Sequence, residues 1–432
     1  MRFLGVSETC DLGALYLSLQ AEGHEVRVAV SEPLADGTMR GLVPRTADWR
    51  AELDWVREAG DDAVVLFESV SEGFGAVQDE LRRTGLRVVG GSAFGDRLEN
   101  DRAYAQALLA ELGFPQGHVW EFAGAREAAA FVAERPGRYV LKRSGAGHAA
   151  GDTYIGEVSD GRDVAAILRT MGSSHEPLVL MAFLEGVEMG VGAYFNGAEF
   201  ILPACLDWEH KRFFAGDMGE MTGEMGTVVT FQDTDRFFDA TLAKVADRLR
   251  AAGHVGYVNL NTIVNEAGIW PLEFTCRFGY PGYSILAPLQ VTPWSQLLRA
   301  MATGTATRLQ TAPGYGVGVV VSTPPFPYSR KQVESPIGLP VLIEPDAERR
   351  HFHFGEVGLD EHGQLVTSGL YGWTMVVTGV GPTVPSARRA AYGNTAKIFA
   401  PNARYRLDIG ERLMSRDMER LRRLGHILAG EH

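Results

Sequence analysis

The sequence predicts an α/β protein that opens with a small parallel sheet, continues through glycine-rich hairpins into a mixed sheet, and closes with an α+β unit. Three observations carry this. Short apolar runs alternate with helix-period segments through the first hundred residues, later strands are punctuated by glycine clusters, and composition changes near residue 322, where prolines gather.

The opening "RFLGVS", "LGALYLSLQAEGHEVRVAVSE" reads as strand, helix and strand: an apolar run, a helical repeat through Leu12, Leu15 and Leu19, then alternation through Val26, Val28 and Val30. "DDAVVLFES", "GFGAVQDELRRTG" and "LRVVGG" repeat the pattern, so a parallel sheet with helices on its faces is expected. Ligands of such sheets sit at the carboxyl ends of strands, here near Ser7 to Asp11 and Glu68 to Gly73. A helix is predicted over "ENDRAYAQALLAELG", stopping at Gly113. "RYVLKRSGAGHAAGDTYIG" reads as a hairpin whose loop, with Gly145, Gly147 and Gly151, can lay bare N–H groups along a phosphate chain. "PLVLMAFLEGVEMGVGAYFNGAEF" supplies a strand, a turn and a hairpin closed at Asn196-Gly197. A helix over "DRFFDATLAKVADRLRAAG", paired strands "GYVNLNTIVN" and "IWPLEFTCRF", and a proline-rich start to the tail complete the chain. The boundaries expected are 1–98, 99–184, 185–321 and 322–432.

The 432 residues, 45% hydrophobic and 22% charged, describe a globular protein of several domains. With 41 basic against 54 acidic side chains the net charge is −13, which disfavours nucleic acid and anionic lipid as partners. Cys10, Cys205 and Cys276 are too few and too scattered for a disulfide framework or a zinc site. No 18-residue apolar segment or leader pattern occurs, so a cytoplasmic protein, monomer or homodimer, is expected.

The order of motifs resembles the ATP-grasp ligases, and within them the phosphoribosylamine-glycine ligases. "LENDRAYAQALLAELGFP" is similar to that family's lysine-bearing helix, "VLKRSGAGHAAG" to its lid loop and "FLEGVEMG" to its adenine hinge. "EHKRFFAGDMGEMTGEMG", "LEFTCRFGYPG" and "YRLDIGERLM" resemble its later motifs. The resemblance implies an ATP-grasp fold with a pre-ATP-grasp domain, a lid and a C-terminal α+β domain. It also implies that a carboxylate is activated by the γ-phosphoryl of ATP and captured by an amine, giving an amide, ADP and phosphate, with magnesium or manganese as cofactor.

Residue by residue, the resemblance assigns Lys142 and Arg102, with Gly145 and Gly147, to the phosphates of ATP; Phe183 and Leu184 to the adenine slot; and Glu188 to the ribose. Glu273 is the metal ligand, a carboxylate in an otherwise apolar strand that needs a cation or hydrogen bonds. Thr275 stands where the family has asparagine, on the same face by period two, and Asn261 or Asn259 on the neighbouring strand is placed to compensate. Arg277, Lys211 and Asp217 are the implied catalytic residues. Glu209, Thr222, Gly223 and Tyr280 border the substrates, where the glycines of "GDMGEMTGEMG" let backbone approach the reacting groups.

The departures fall on the acceptor side. The family's first loop, GxGGREH, becomes "GVSETCDLG", so that Ser7, Glu8 and Asp11 meet the substrate. Its GPE loop becomes "FESVSEG" with Glu68, RFGDPE becomes "RFGYPG", and PNTGG becomes "EMTGE". Asp152 replaces the second lid lysine, and Arg143 or His148 is expected to supply the missing donor. An anionic phosphate is disfavoured beside such acids. The expectation is retained chemistry with a different amine, a different acid, or both. The rivals are the authentic purine-pathway ligase and a nucleotide-binding protein without activity.

Overall fold

The computed structural model describes residues 1–69, 71, 73–143, 153–172, 176–305 and 308–427. Strands β1 (Arg2–Ser7), β2 (Glu25–Val30), β3 (Arg45–Thr46), β4 (Ala63–Phe67) and β5 (Val88–Val89) form a parallel sheet in the order β3-β2-β1-β4-β5. β4 is buried on both faces, which is why its sequence is an unbroken apolar run rather than an alternating one. The helix Gly13–Ala21 follows β1 directly, so its N-terminus lies at the carboxyl edge of the sheet beside the end of β4.

A second sheet, antiparallel, has the order β6-β9-β7-β8, built from Val119–Phe122, Tyr139–Arg143, Thr153–Ile155 and Leu178–Ala182 numbered in chain order. Its own small core includes Leu141, Leu168 and Leu180. Gly145, Gly147, His148 and Asp152, expected in the loop after β7, lie outside the described residues, as does the side chain of Arg143.

The central sheet has eight strands. β10 (Val187–Asn196), β11 (Phe200–Glu209), β14 (Gly226–Thr230), β15 (Val255–Asn265), β16 (Gly268–Thr275) and β17 (Tyr315–Ser322) run antiparallel in the order β16-β15-β10-β11-β14-β17, followed by Trp373–Gly381 and Phe352–Phe354. Between β11 and β14 a small hairpin, β12 (Arg212–Phe214) with β13 (Met218–Met221), stands off the sheet.

Two sequence readings change. The helix expected over 99–113 is two helices, Ala93–Asn100 and Arg102–Glu111, broken where the Asp101 carboxylate accepts the Tyr104 N–H at 3.0 Å and caps the second. The tail from 322 is not free-standing: Trp373–Gly381 pairs with β17 over its full length, so the central sheet runs through that boundary. Its apolar positions find their partners in a sheet begun more than a hundred residues earlier, a pairing no local pattern announces.

Candidate active site

A cleft of about 670 Å³ lies over one face of the central sheet, roofed by the parallel sheet's loops. Its floor is set by what β10 lacks. Gly190 and Gly192 alternate on the cleft face, opposite Asp207 and Cys205 of β11 and Asn261 and Asn259 of β15. With the middle strand bare, side chains from the two flanking strands meet above it. Asn259 Nδ2 donates to Asp207 Oδ2 at 2.6 Å, Asn261 Nδ2 to Glu209 Oε2 at 3.3 Å, and the Tyr257 hydroxyl lies 3.2 Å from Cys205 Sγ. A Cβ at 190 would collide with the Asp207 carboxylate, and one at 192 with the Tyr257 hydroxyl.

At the β16 end, Lys211 is the hub. Its ammonium donates to Glu273 Oε1 at 3.1 Å and lies 3.2 Å from Glu209 and 3.5 Å from Glu188. The Lys211 charge holds the Glu273 carboxyl below its ordinary value, and the three carboxylates push Lys211 upward against its burial. Glu273 faces the cleft with 53% of its side chain exposed, and Thr275 lines the same wall. These are hard oxygen donors, the set that suits magnesium. Asn261 fits a metal less well. Its amide nitrogen points to Glu188 and Glu209, and its oxygen accepts from the Thr262 N–H at 3.0 Å.

Lys142 is the penultimate residue of β7, and burial followed by the charge of Arg102 lowers it to about 8. Two cations held within range of each other are what a polyphosphate relieves. Arg102 Nη2 reaches Met181 Sδ at 3.7 Å. Phe183 and Leu184 are half-buried between β9 and β10, with the Arg138 guanidinium 3.5 Å from the Phe183 ring centre, and lie apart from the main cavity's lining.

Just beyond Thr275 the cleft brings in a residue that sequence reasoning missed. Glu99 accepts from Arg277 Nε at 3.0 Å and from the Cys276 N–H at 2.7 Å, fixing the arginine on the cleft. On the roof, Glu68 is 5% exposed. Its Oε2 accepts from Ser7 Oγ at 2.8 Å and the Leu12 N–H at 3.0 Å, and its Oε1 from the Tyr16 hydroxyl. The helix Gly13–Ala21 has no cap of its own, so this carboxylate fills the anion position at its N-terminus. Burial and the charge of Asp11 push Glu68 up to about 7.

The structure thus gathers Glu8, Asp11, Glu68, Glu209, Lys211, Gly223, Asn261, Glu273, Thr275, Arg277 and Tyr280 around one cavity. It does not bring Asp217, Thr222 or Ser7 to it. Asp217, expected to be catalytic, is gripped by Arg406 at 2.7 Å and Arg412 at 3.0 Å. His210 Nε2 accepts the Gly410 N–H at 3.2 Å and Asp408 accepts that of Gly216 at 2.9 Å, so this part of the glycine-rich run is welded to the "YRLDIG" segment. Only its end, Gly223 and Glu224, reaches the cleft. The Thr222 hydroxyl is spent on the Lys211 carbonyl at 2.7 Å, and Ser7 supports Glu68 and accepts the Cys10 N–H at 2.6 Å. Besides Glu99, sequence reasoning missed Asp207 and the two strand glycines. Asp207 had the same signal as Glu273, a carboxylate in an apolar strand.

A sheet whose open face aligns carboxylates and amides, facing a second sheet that carries a lysine, is the architecture of an ATP-grasp ligase. Residues 100–283 match the family described as phosphoribosylglycinamide synthetase, ATP-grasp (A) domain. A phosphoribosylamine-glycine ligase of Leifsonia xyli is 32% identical over 349 residues, 78% of this chain and 81% of that one. The chain belongs to the phosphoribosylamine-glycine ligase family, and is an enzyme that forms a carbon–nitrogen bond with release of ADP. In fold it is similar to the Thermotoga maritima phosphoribosylamine-glycine ligase, with TM-score 0.67 at 20% identity, covering 95% of this chain and 100% of that one. The Campylobacter jejuni biotin carboxylase has TM-score 0.64 at 12% identity, covering 98% of each chain.

Proposed function

We propose that the enzyme joins a carboxylic acid to an amine through an acyl phosphate, and that the amine, the acid or both differ from phosphoribosylamine and glycine. The single observation that carries the second half is Glu68. The carboxylate already occupies the anion position at the first helix, on the Leu12 N–H and Ser7 hydroxyl, where the family's first loop would receive a sugar phosphate. The make-up of the cavity wall supports it: among the described residues lining the cleft, eight acidic side chains outnumber two basic ones, Lys211 and Arg277, and burial has already pushed several of the acids upward. A phosphorylated amine entering there would be repelled, whereas a neutral or cationic one would be drawn in.

In this reading Lys142 and Arg102 neutralise the polyphosphate of ATP. Glu273 and Thr275 would hold magnesium, which when bound supplies positive charge to the transferring phosphoryl group. Lys211 pairs with Glu188, Glu209 and Glu273 and holds them in place. Arg277, steadied by Glu99, presents its remaining N–H groups to the substrate carboxylate. Burial of the floor around Asp207 and Tyr257 excludes water, which would otherwise hydrolyse an acyl phosphate.

The test is an ADP-release screen with the full chain, crossing amino acids with amines and reading condensed products by mass spectrometry, with phosphoribosylamine and glycine as one pair. The proposal expects product from a pair lacking the sugar phosphate. Turnover restricted to phosphoribosylamine with glycine would refute it.

A further inference from the structure

Charge pairing in the cleft is uneven. Lys211 neutralises Glu188, Glu209 and Glu273, and Arg277 neutralises Glu99. Asp207 and Glu224, each 6% exposed and both lining the cavity, have no cation within salt-bridge distance among the described residues. Asp207 Oδ1 and Glu224 Oε1 are buried without a hydrogen-bond partner, and so is Thr227 Oγ1 on the same wall. These are the kind of groups a folded protein leaves open only at a cost, unless a ligand completes them.

Resting on the ligase reading above, we infer that Asp207, Glu224 and Thr227 form the seat of a primary ammonium group on the amine substrate, remote from the nitrogen that is acylated. Three unpartnered oxygens match the three N–H donors of an –NH3⁺ group. A divalent metal would demand six or more oxygen ligands. Here Asn259 turns its Nδ2, not its oxygen, to Asp207 at 2.6 Å, Glu209 is held by Lys211, and the rest of the lining includes Cys205, Val229 and Tyr257. The apolar stem of such an amine also has a wall to lie on. Tyr280 and Trp373 line the cavity with ring centres 5.2 Å apart, and Tyr371 stands 5.9 Å from Trp373. A Cβ on Gly223, the residue before Glu224, would touch the Trp373 ring at 3.1 Å, so the backbone leading into Glu224 runs beside that aromatic surface. A cation with an alkyl stem is favoured by both.

Position argues for remoteness. Glu273 and Asp207 share a register row, through Asn261 and Gly190, and stand on strands three apart. At ~4.8 Å between strands the two backbones stand about 14 Å apart; the Asp207 carboxylate leans over Gly190 as far as Asn259 at 2.6 Å and stops one strand short of Glu273. Burial, with the Glu209 charge, pushes Asp207 up to about 8, and burial with the charges of Glu209 and Asp207 raises Glu224; an ammonium ion would reverse both.

Calorimetric titration of the full chain with 1,4-diaminobutane, n-butylamine and n-butanol tests this. Both amines should bind and the alcohol should not. Glu224→Gln and Asp207→Asn, both close to isosteric, should each weaken diamine binding at least about tenfold, the loss expected of a charged hydrogen bond. Affinity of Glu224→Gln for a non-hydrolysable ATP analogue with magnesium should stay within about twofold, since Glu224 has no bond to Glu273, Thr275 or Lys142 among the described residues. Should Asp207→Asn fail to fold, Glu224→Gln decides alone. Equal binding of n-butanol, no binding of either amine, unchanged affinity in the variants, or competition by magnesium alone would each overturn the assignment. Failure of the ligase reading looks different: amines bind as expected, yet no acid and amine pair releases ADP.

Discussion

Replacing Lys211 by methionine removes one positive charge from among three carboxylates. The ammonium stands 3.1, 3.2 and 3.5 Å from Glu273, Glu209 and Glu188. At an effective dielectric constant of about 20, each pair is a gross attraction of roughly 5 kcal/mol. Most of that is offset by desolvation and by water, for the three carboxylate side chains are 53%, 24% and 31% exposed. Truncating a fully buried pair costs about 3–5 kcal/mol and an exposed one about 0–1. A net loss of about 2–3 kcal/mol at pH ~8 follows for this intermediate case. The sign with pH is fixed by the carboxylates left behind. Without Lys211 they repel one another, and their folded-state values rise above the unfolded ones. Such groups stabilise the fold when protonated, and that contribution is lost as pH rises through the raised values. The deficit of Lys211→Met against the parent should therefore be largest near pH ~8 and shrink by about half or more near pH ~5. Urea denaturation of both proteins at the two pH values measures it. A deficit of equal size at both, or none, would refute the reasoning that Lys211 acts as the counter-ion of this cluster.

Glu273→Gln should remove the magnesium dependence of nucleotide binding by calorimetry. It should cost the fold less than about 1 kcal/mol, because the side chain is half in water; magnesium dependence equal to the parent's would dismiss Glu273 as a ligand. Glu68 is raised from 4.5 to about 7, so it stabilises the fold fully below pH 4.5 and loses that contribution as pH climbs to about 7. At 1.36 kcal/mol per pK unit this is on the order of 3 kcal/mol. Glu68→Gln cannot ionise and should flatten the fall in stability across that window; an unchanged pH profile would count against a buried, ionisable Glu68. Asp217→Asn should cost about 1–3 kcal/mol by loosening Arg406, itself 2% exposed, yet leave nucleotide affinity untouched. Weakened nucleotide affinity at unchanged stability would restore Asp217 to the active site.

Much of the cleft was legible in the sequence. Glu273 declared itself because a carboxylate inside "IWPLEFT" has no reason to be there without a partner, and period two placed Thr275 and Arg277 beside it. Lys142 was readable from its place near the end of an alternating strand that leads into a glycine-rich loop. Asp207 carries the same signal in "LPACLDW". Gly190 and Gly192 read only as weak strand residues, although their lack of side chains is what lets Asn259 reach Asp207. Asp217 and Thr222 went the other way. They sit in the most motif-like stretch of the chain, but their hydrogen bonds serve the hairpin and the "YRLDIG" segment. Nothing local distinguishes a conspicuous residue that binds substrate from one that binds its own chain.

The sequence by itself determined the class of fold, the order of the elements and the chemical kind of most residues around the cleft. Those properties follow from short-range periodicity and from side chains whose charge is costly to bury. Tertiary structure alone decided which charges are paired. Lys211 meets Glu273 from 62 positions away, Glu99 meets Arg277 from 178, and Glu68 closes on Leu12 from 56. Electrostatic energy depends on separation in space and on exclusion of water, neither of which is written in any window of neighbouring residues. That is why Asp207 and Glu224, each with a buried oxygen left bare and no counter-ion beside it, become visible only once the strands are laid side by side.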